Sequence, residues 1–263
     1  MNESLSRWTR EITPHRRLCL AADMEEYSRL DTRSQSTVQS DLVRLLDEAA
    51  ALTGLNRDAW ARQPQGDQEF AVLPEATREV AVLGPFVRHL VARLGALNAR
   101  PATPRVRLRL AVDTGIVADA ALGHAGPAPV AVARYVNAPQ LKAVLAALPP
   151  ADLAVIVSDR LYQDVVRLGH PDLDQTQYAQ VHVRVKDFGG YGWIHVPGHA
   201  PDEVHRSLAD TSGPMPSPDG PAPTRTAPSQ YAPHGVNVGH DLSGSLTIGL
   251  PVAPPAAGHG RAL

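Results

Sequence analysis

Two short runs of turn residues, Gln63-Pro64-Gln65-Gly66-Asp67 and Gly189-Gly190, each lie between apolar segments too short for helices, and they restrict the fold of this 263-residue chain more than any other feature. A connection so brief joins antiparallel strands, because a parallel pair needs a crossover of about a dozen residues or more. Helical patterns lie between the hairpins. The sequence therefore predicts an α+β fold, a mainly antiparallel sheet covered by helices, rather than a doubly wound parallel sheet.

The elements follow from periodicity. Residues 17–24 form a short apolar run that suits a buried strand and ends at Asp23. After a turn-rich stretch at 28–36, Val38, Leu42, Leu45, Leu46, Ala49 and Leu52 recur at helical spacing, and Gly54 supplies a stop. Segments 59–62 and 69–73 read as the arms of the first hairpin. A second helix is predicted over 84–98 with Pro85 in its first turn. Val106, Leu108, Leu110 and Val112 alternate with Arg105, Arg107 and Arg109, a strand whose arginines form a solvated face or else an anion-binding surface. A helix over 133–148 stops at Pro149-Pro150, a strand covers 153–157, and Ser158 is placed to cap a helix over 159–167. Strands 181–186 and 192–196 close the body as a second hairpin.

Composition divides the chain. With 43% apolar and 20% charged residues it can bury a sizeable core, yet residues 199–263 hold 11 of the 24 prolines and 8 of the 20 glycines. This predicts a folded body up to residue 198 followed by a linker at 199–230 and a disordered tail at 231–263, with 1–14 as an N-terminal extension. A net charge of −2 gives no reason to expect a nucleic-acid partner. No run of 18 apolar residues occurs and the first 17 residues carry no apolar signal core, so no membrane association and a cytoplasmic location are expected. Cys19 has no second cysteine to pair with and lies in an apolar run, where a thiol acts as a small hydrophobe.

Two carboxylates occupy places where the backbone fixes them: Asp23 at the end of the first strand and Asp67 in the hairpin turn. If the hairpin pairs beside that strand, both reach one edge of the sheet, where two hard oxygen ligands can hold Mg²⁺ against phosphate. The simpler alternative is a strand-end aspartate and a turn aspartate serving local hydrogen bonds.

Several segments together resemble the catalytic domain of class III adenylate and guanylate cyclases: Ala22-Asp23-Met24-Glu25-Glu26-Tyr27-Ser28, Gly66-Asp67, Arg107-Leu108-Arg109-Leu110-Ala111-Val112-Asp113-Thr114-Gly115, residues 126–134, Val183-Arg184-Val185-Lys186 and Trp193-Ile194-His195-Val196-Pro197-Gly198. The resemblance spans about 15–198 and implies a ferredoxin-like βααββαβ core. It implies a nucleotidyl cyclase, a phosphorus–oxygen lyase that closes a nucleoside triphosphate into a cyclic nucleotide and releases pyrophosphate. Asp23, Asp67 and the Met24 carbonyl would be the metal ligands, for two Mg²⁺ or Mn²⁺ ions per site. Arg134 would stabilise charge on the transferring phosphate, Gln63 would stand where the base is read, and Lys186 would contact the triphosphate. In the family the arginine comes from the partner subunit, which implies a head-to-tail homodimer.

The sequence also departs from that pattern. Gln63 replaces a base-reading lysine or glutamate, Val130 an asparagine that orients the ribose, Gly123 a second base-reading aspartate, and Glu26 a glycine near the triphosphate. Three uses remain open: a cyclase with an unusual base contact, a cyclase-like signalling or adaptor domain that binds nucleotide or a partner without turnover, and another use of the fold. Residues 66–70 are also faintly like the hairpin of diguanylate cyclases, but the extra Gln68 and the motif order favour class III. Lys186 as an exposed edge-strand lysine, His182 and His195 as strand residues rather than zinc ligands, and Ser158-Asp159 as a helix cap are the structural alternatives. In the tail, Val236, Val238, Leu242, Leu246, Ile248 and Leu250 all fall on even positions, so 236–250 reads as a β-type segment, a candidate for self-assembly or for binding a protein partner.

Overall fold

Leu18, Leu20, Ala22 and Met24 alternate with Cys19 and Ala21, and all six are buried, so the first strand is covered on both faces. The computed structural model describes residues 13–101 and 103–211. In chain order the elements are β1 (His15–Met24), α1 (Thr32–Thr53), β2 (Ala61–Gln65), β3 (Gln68–Val72), α2 (Glu79–Ala81), a π-helical turn (Val82–Phe86), α3 (Val87–Asn98), β4 (Leu108–Ala120) and β5 (Gly123–Ala125). There follow α4 (Pro127–Val136), α5 (Pro139–Ala147), β6 (Leu153–Ser158), α6 (Asp159–Leu161), a second π turn (Tyr162–Val166), β7 (Ala179–Val185), β8 (Phe188–His195) and α7 (Pro201–Thr211).

The strands form one sheet in the order β2-β3-β1-β4-β6-β8-β7, with β5 paired to β4. Only β4 and β6 run parallel; the other pairings are antiparallel, as the two hairpins require. One face carries Leu20, Leu108, Leu110 and Val155 against Leu45, Leu46, Phe86 and Leu90 of the α1 and α3 side. The other carries Ala21, Ala111 and Ile156 against Val132, Val136, Leu141 and Leu145 of α4 and α5. Residues Glu79–Asn98 are together long and apolar enough to cross a membrane by composition, but Leu83, Phe86, Leu90, Leu94 and Leu97 are buried in the first cluster, so this is a core helix.

Where local pattern and structure differ, tertiary contacts decide. Helix α1 starts at Thr32, inside the stretch read as turn: Asp31 caps it by accepting from the Ser34 N–H at 2.8 Å, and Thr37 and Ser40 bond back to carbonyls four residues earlier. The helix expected from residue 84 begins at Glu79, and Pro85 lies inside it, accommodated by the π turn. The single helix expected over 133–148 is two, α4 and α5, divided where Pro139 opens the second. Pro64 belongs to the edge strand β2, leaving Gly66 (φ 64°) and Asp67 as the turn. The second hairpin turns at Lys186 (φ 57°) and Asp187, not at Gly189-Gly190, which lie within β8. A Cβ at nearby Gly192 would meet Ile156 Cδ1 at 2.9 Å and Tyr135 Cε1 at 3.1 Å, so that glycine admits the α4 side chain over the sheet. Residues 201–211, where composition placed the start of a linker, form α7, with Val204 buried in the second cluster. The segment 236–250 lies outside the described residues.

Candidate functional site

Register places the two carboxylates. Asp23, the penultimate residue of β1, faces Gln68 of β3 on one side and Arg109 of β4 on the other. Asp67 occupies the hairpin turn, and its carbonyl accepts the Met24 N–H at 3.0 Å. Asp23 is 6% exposed, and its Oδ2 accepts from Arg109 Nε at 2.8 Å and also from Nη2. Burial pushes the Asp23 carboxyl above the usual carboxylate range; Arg109 opposes the shift, Asp67 adds to it and Lys142 opposes it. Asp23 and Asp67 thus interact at the same end of the neighbouring strands β1 and β3. Lys142, on α5, went unnoticed in the sequence, although it is one of only two lysines there. Its Nζ donates to Asn137 Oδ1 at 3.1 Å.

Among the described residues no group of three or more His, Cys, Asp or Glu side chains could hold a metal ion. Two carboxylates suit Mg²⁺ that keeps waters and takes its remaining oxygens from a triphosphate, because this cation commonly binds through one or two carboxylates plus substrate phosphates. Arg109 occupies Oδ2 of Asp23, and no hydrogen bond engages Oδ1 among the described residues. The donor set therefore fits a nucleotide-borne cation rather than a closed protein cage.

A cleft of about 400 Å³ lies beside the hairpin, lined by Gln63, Gln65, Gln68 and Phe70 from β2 and β3, His124 from β5, and Val130, Arg134 and Asn137 at α4. It gathers three positions singled out in the sequence, Gln63, Val130 and Arg134. The Gln63 carboxamide fills the space over Gly123: a Cβ built there would lie 1.5 Å from Gln63 Nε2. Arg134 Nη2 reaches Asp187 Oδ1 at 3.4 Å, whereas its Nε is buried without a hydrogen bond. Lys186 does not line this cleft; it stands next to Asp187 in the β7–β8 turn. Glu26 adopts a left-handed conformation (φ 57°), and its carboxylate pairs with Arg29 rather than standing free.

Of the arginine stripe only Arg105 is exposed, whereas Arg107 and Arg109 are drawn into the protein. Arg105 pairs with Asp152 at 2.8 Å, Arg107 pairs with Glu25 and donates to the Ala151, Leu145 and Leu148 carbonyls, and Arg109 holds Asp23. Alternation reports only the faces of a strand, whereas here loops and α5 bring acceptors to the arginine side. Ser158 is a cap, accepting from the Leu161 N–H at 3.2 Å. Cys19 is fully buried, with its pKa pushed up to about 12 chiefly by burial. His195 is held by the Gln177 carbonyl at 3.1 Å, and burial lowers its pKa.

Asp113 is a buried carboxyl that sequence reading passed over. It is 2% exposed, accepts from the Thr114 N–H at 2.8 Å and is raised above the usual range, first by burial, with Ser158 and Arg160 opposing. The folded chain therefore binds this proton more tightly than the unfolded chain. Stability falls as pH rises from the ordinary carboxyl range through the raised native value. Asp113→Asn keeps an acceptor for Thr114 and removes that fall. Its melting temperature relative to the native sequence is expected to rise as pH increases above about 4, the ordinary carboxyl range, and a difference that stays constant with pH would contradict the assignment.

No family model matches the chain, and no curated protein matches it in sequence. Solved structures do match. The guanylyl cyclase Cya2 is 10% identical over 72% of this chain and 98% of its own, with a TM-score of 0.50. An adenylate/guanylate cyclase/hydrolase from Silicibacter pomeroyi is 20% identical over 71% and 99%, with a TM-score of 0.51. A bacterial light-regulated adenylyl cyclase is 13% identical over 77% of this chain and 59% of its own, with a TM-score of 0.50. The chain has the fold of adenylate and guanylate cyclase domains.

Proposed function

We propose that this domain is a nucleotidyl cyclase that converts a nucleoside triphosphate into a cyclic nucleotide and pyrophosphate. The observation that carries the reading is that one chain holds both half-sites a head-to-tail pair would join: Asp23 and Asp67 at the β2–β3 turn, and Gln63 and Arg134 in one cleft. Within this reading Asp23 and Asp67, with the Met24 carbonyl, hold the divalent cation that accompanies the triphosphate. When bound, Mg²⁺ or Mn²⁺ supplies the positive charge that acidifies the attacking hydroxyl and neutralises the leaving pyrophosphate.

The chain's own residues position and polarise. The ribose 3′-oxygen loses its proton to solvent and bonds to the α-phosphorus, and the bridging bond to the β-phosphate breaks. Gln63 offers a carboxamide to the base, and Arg134 offers its fork of donors to the phosphate oxygens as charge builds there. Two copies arranged head to tail would set the Arg134 of one against the carboxylates of the other. Lys142 adds a positive charge within electrostatic range of Asp23.

A second reading, nucleotide binding without turnover, is favoured by the Arg109 hold on Asp23 and by the loss of polar side chains at Gly123 and Val130. Incubating the full chain with each of the four ribonucleoside triphosphates and Mn²⁺, and detecting products by mass spectrometry, separates the two. The cyclase reading expects a cyclic mononucleotide from the native chain and none from Asp67→Ala. Binding without product for all four supports the second reading.

A further inference from the structure

Alternation along β1 sets His15 and Arg17 on the face of the sheet that also carries Cys19 and Ala21. Both line a second cavity, of about 430 Å³. It lies toward the opposite end of β1 from the carboxylates, since Arg17 precedes Asp23 by six residues, about 20 Å along an extended strand. His124 lines both this cavity and the cleft beside the hairpin, so one ring borders the two.

The lining defines what the cavity can receive. Val72, Leu73, Pro74 and Val117 supply hydrocarbon surface, and Arg17 is the sole lysine or arginine. The Arg17 side chain is 21% exposed, and its Nη1 donates to the Arg16 carbonyl at 3.0 Å and reaches Oε2 of the exposed Glu75 at 3.0 Å. Its Nε and Nη2 make no hydrogen bond among the described residues. That edge of a guanidinium presents two parallel N–H donors, the geometry a carboxylate accepts through both oxygens. A half-buried donor pair beside apolar walls gains more from a charged acceptor than one in open water does. The sole acid in the lining, Asp119, is exposed.

We propose that this cavity binds a small organic monocarboxylate, with its carboxylate on Arg17 Nε and Nη2 and its hydrocarbon part on Val72, Leu73 and Val117. The site is separate from the one assigned to the nucleotide and does not depend on the cyclase reading. Charge selects the head group. An ammonium would be repelled by the guanidinium at the apolar end, and a phosphate dianion would set two charges against one permanent cation that already has Glu75 beside it, with Asp119 also in the lining. A carboxylate carries the single charge that the free edge of Arg17 can match. The volume limits the rest of the ligand to a small molecule, because sites for such ligands start at roughly 300 Å³.

The test is a ligand-observed NMR titration of the full chain with hexanoate, hexylamine and hexyl phosphate, three head groups on one hydrocarbon chain. The native chain is expected to bind hexanoate about tenfold more tightly than hexylamine, and hexyl phosphate more weakly than hexanoate. Arg17→Gln loses the charge and the fork, and should weaken hexanoate about tenfold without weakening hexylamine. Ala61→Phe, on the exposed edge strand β2, adds a ring to the lining and leaves Arg17 in place, so it should weaken hexanoate too and serves if Arg17→Gln folds poorly. Hexanoate that fails to bind the native chain overturns the site, and hexylamine or hexyl phosphate binding as tightly as hexanoate overturns the choice of a carboxylate. Unchanged hexanoate affinity in a folded variant, or competition of hexanoate with GTP or ATP, overturns the location. None of these results requires turnover, so the cyclase reading stands or falls separately.

Discussion

Glu69→Ala is expected to lower the unfolding free energy by about 3–5 kcal/mol, the cost of leaving one partner of a buried ion pair uncompensated. Glu69 is 4% exposed and Arg57 6%, and the two join through paired bonds of 2.6 and 2.9 Å. Burial alone would lower the Arg57 pKa, but Glu69 and the half-exposed Asp47 more than reverse that and hold it above its ordinary value. The guanidinium also lies 5.4 Å from the centre of the Trp60 ring, so it cannot swing out to water without leaving that packing. Urea denaturation of the purified chain measures the loss. A double replacement, Arg57→Met with Glu69→Leu, is expected to cost less than Glu69→Ala alone, because it leaves no buried charge. A greater loss in the double variant would contradict the account. The consequence for function is indirect: Glu69 lies on β3 one residue from Gln68, so this pair anchors the hairpin that presents both Asp67 and Gln63.

Under the proposed cyclase function, Arg134→Ala is expected to reduce the rate of cyclic-nucleotide formation by about 10²–10³-fold, the usual effect of removing one donor aimed at developing charge. Its unfolding midpoint should stay near that of the native chain. The reason is in its contacts: the side chain is 27% exposed, its one ion pair is to an 89% exposed Asp187 at 3.4 Å, and its Nε bonds to nothing. A residue that contributes so little to the folded state is free to serve a ligand. Arg134→Lys should recover part of the rate, since it restores charge without the planar fork. Unchanged turnover in Arg134→Ala would remove this residue from the mechanism.

Much of this arrangement was legible in the sequence. Both hairpins exist, and the buried strand at 17–24 and the helix stopped by Gly54 appear where periodicity and turn chemistry place them. So does the meeting of Asp23 with the turn that carries Asp67. These features are local or follow from strand pairing, and a two-residue turn between short strands leaves little freedom in register. Errors arose where a local signal had a tertiary cause. Gly189-Gly190 resembled a turn but lie within a strand that passes under Tyr135, and the stretch 28–36 resembled a turn although from Thr32 on it belongs to a helix capped by Asp31.

By itself the sequence determined the α+β class, the antiparallel hairpins and the candidate positions Asp23, Gln63, Asp67 and Arg134. Only the tertiary structure decided how those positions are held. Arg109 lies 86 residues from Asp23 yet claims its Oδ2, and Lys142 of α5 is brought within electrostatic range of the same carboxylate. His124 is set beside Gln63 with an unbonded nitrogen. Periodicity specifies which face a side chain occupies, but the partner it meets there depends on sheet order and helix placement, which arise from burial of the whole core.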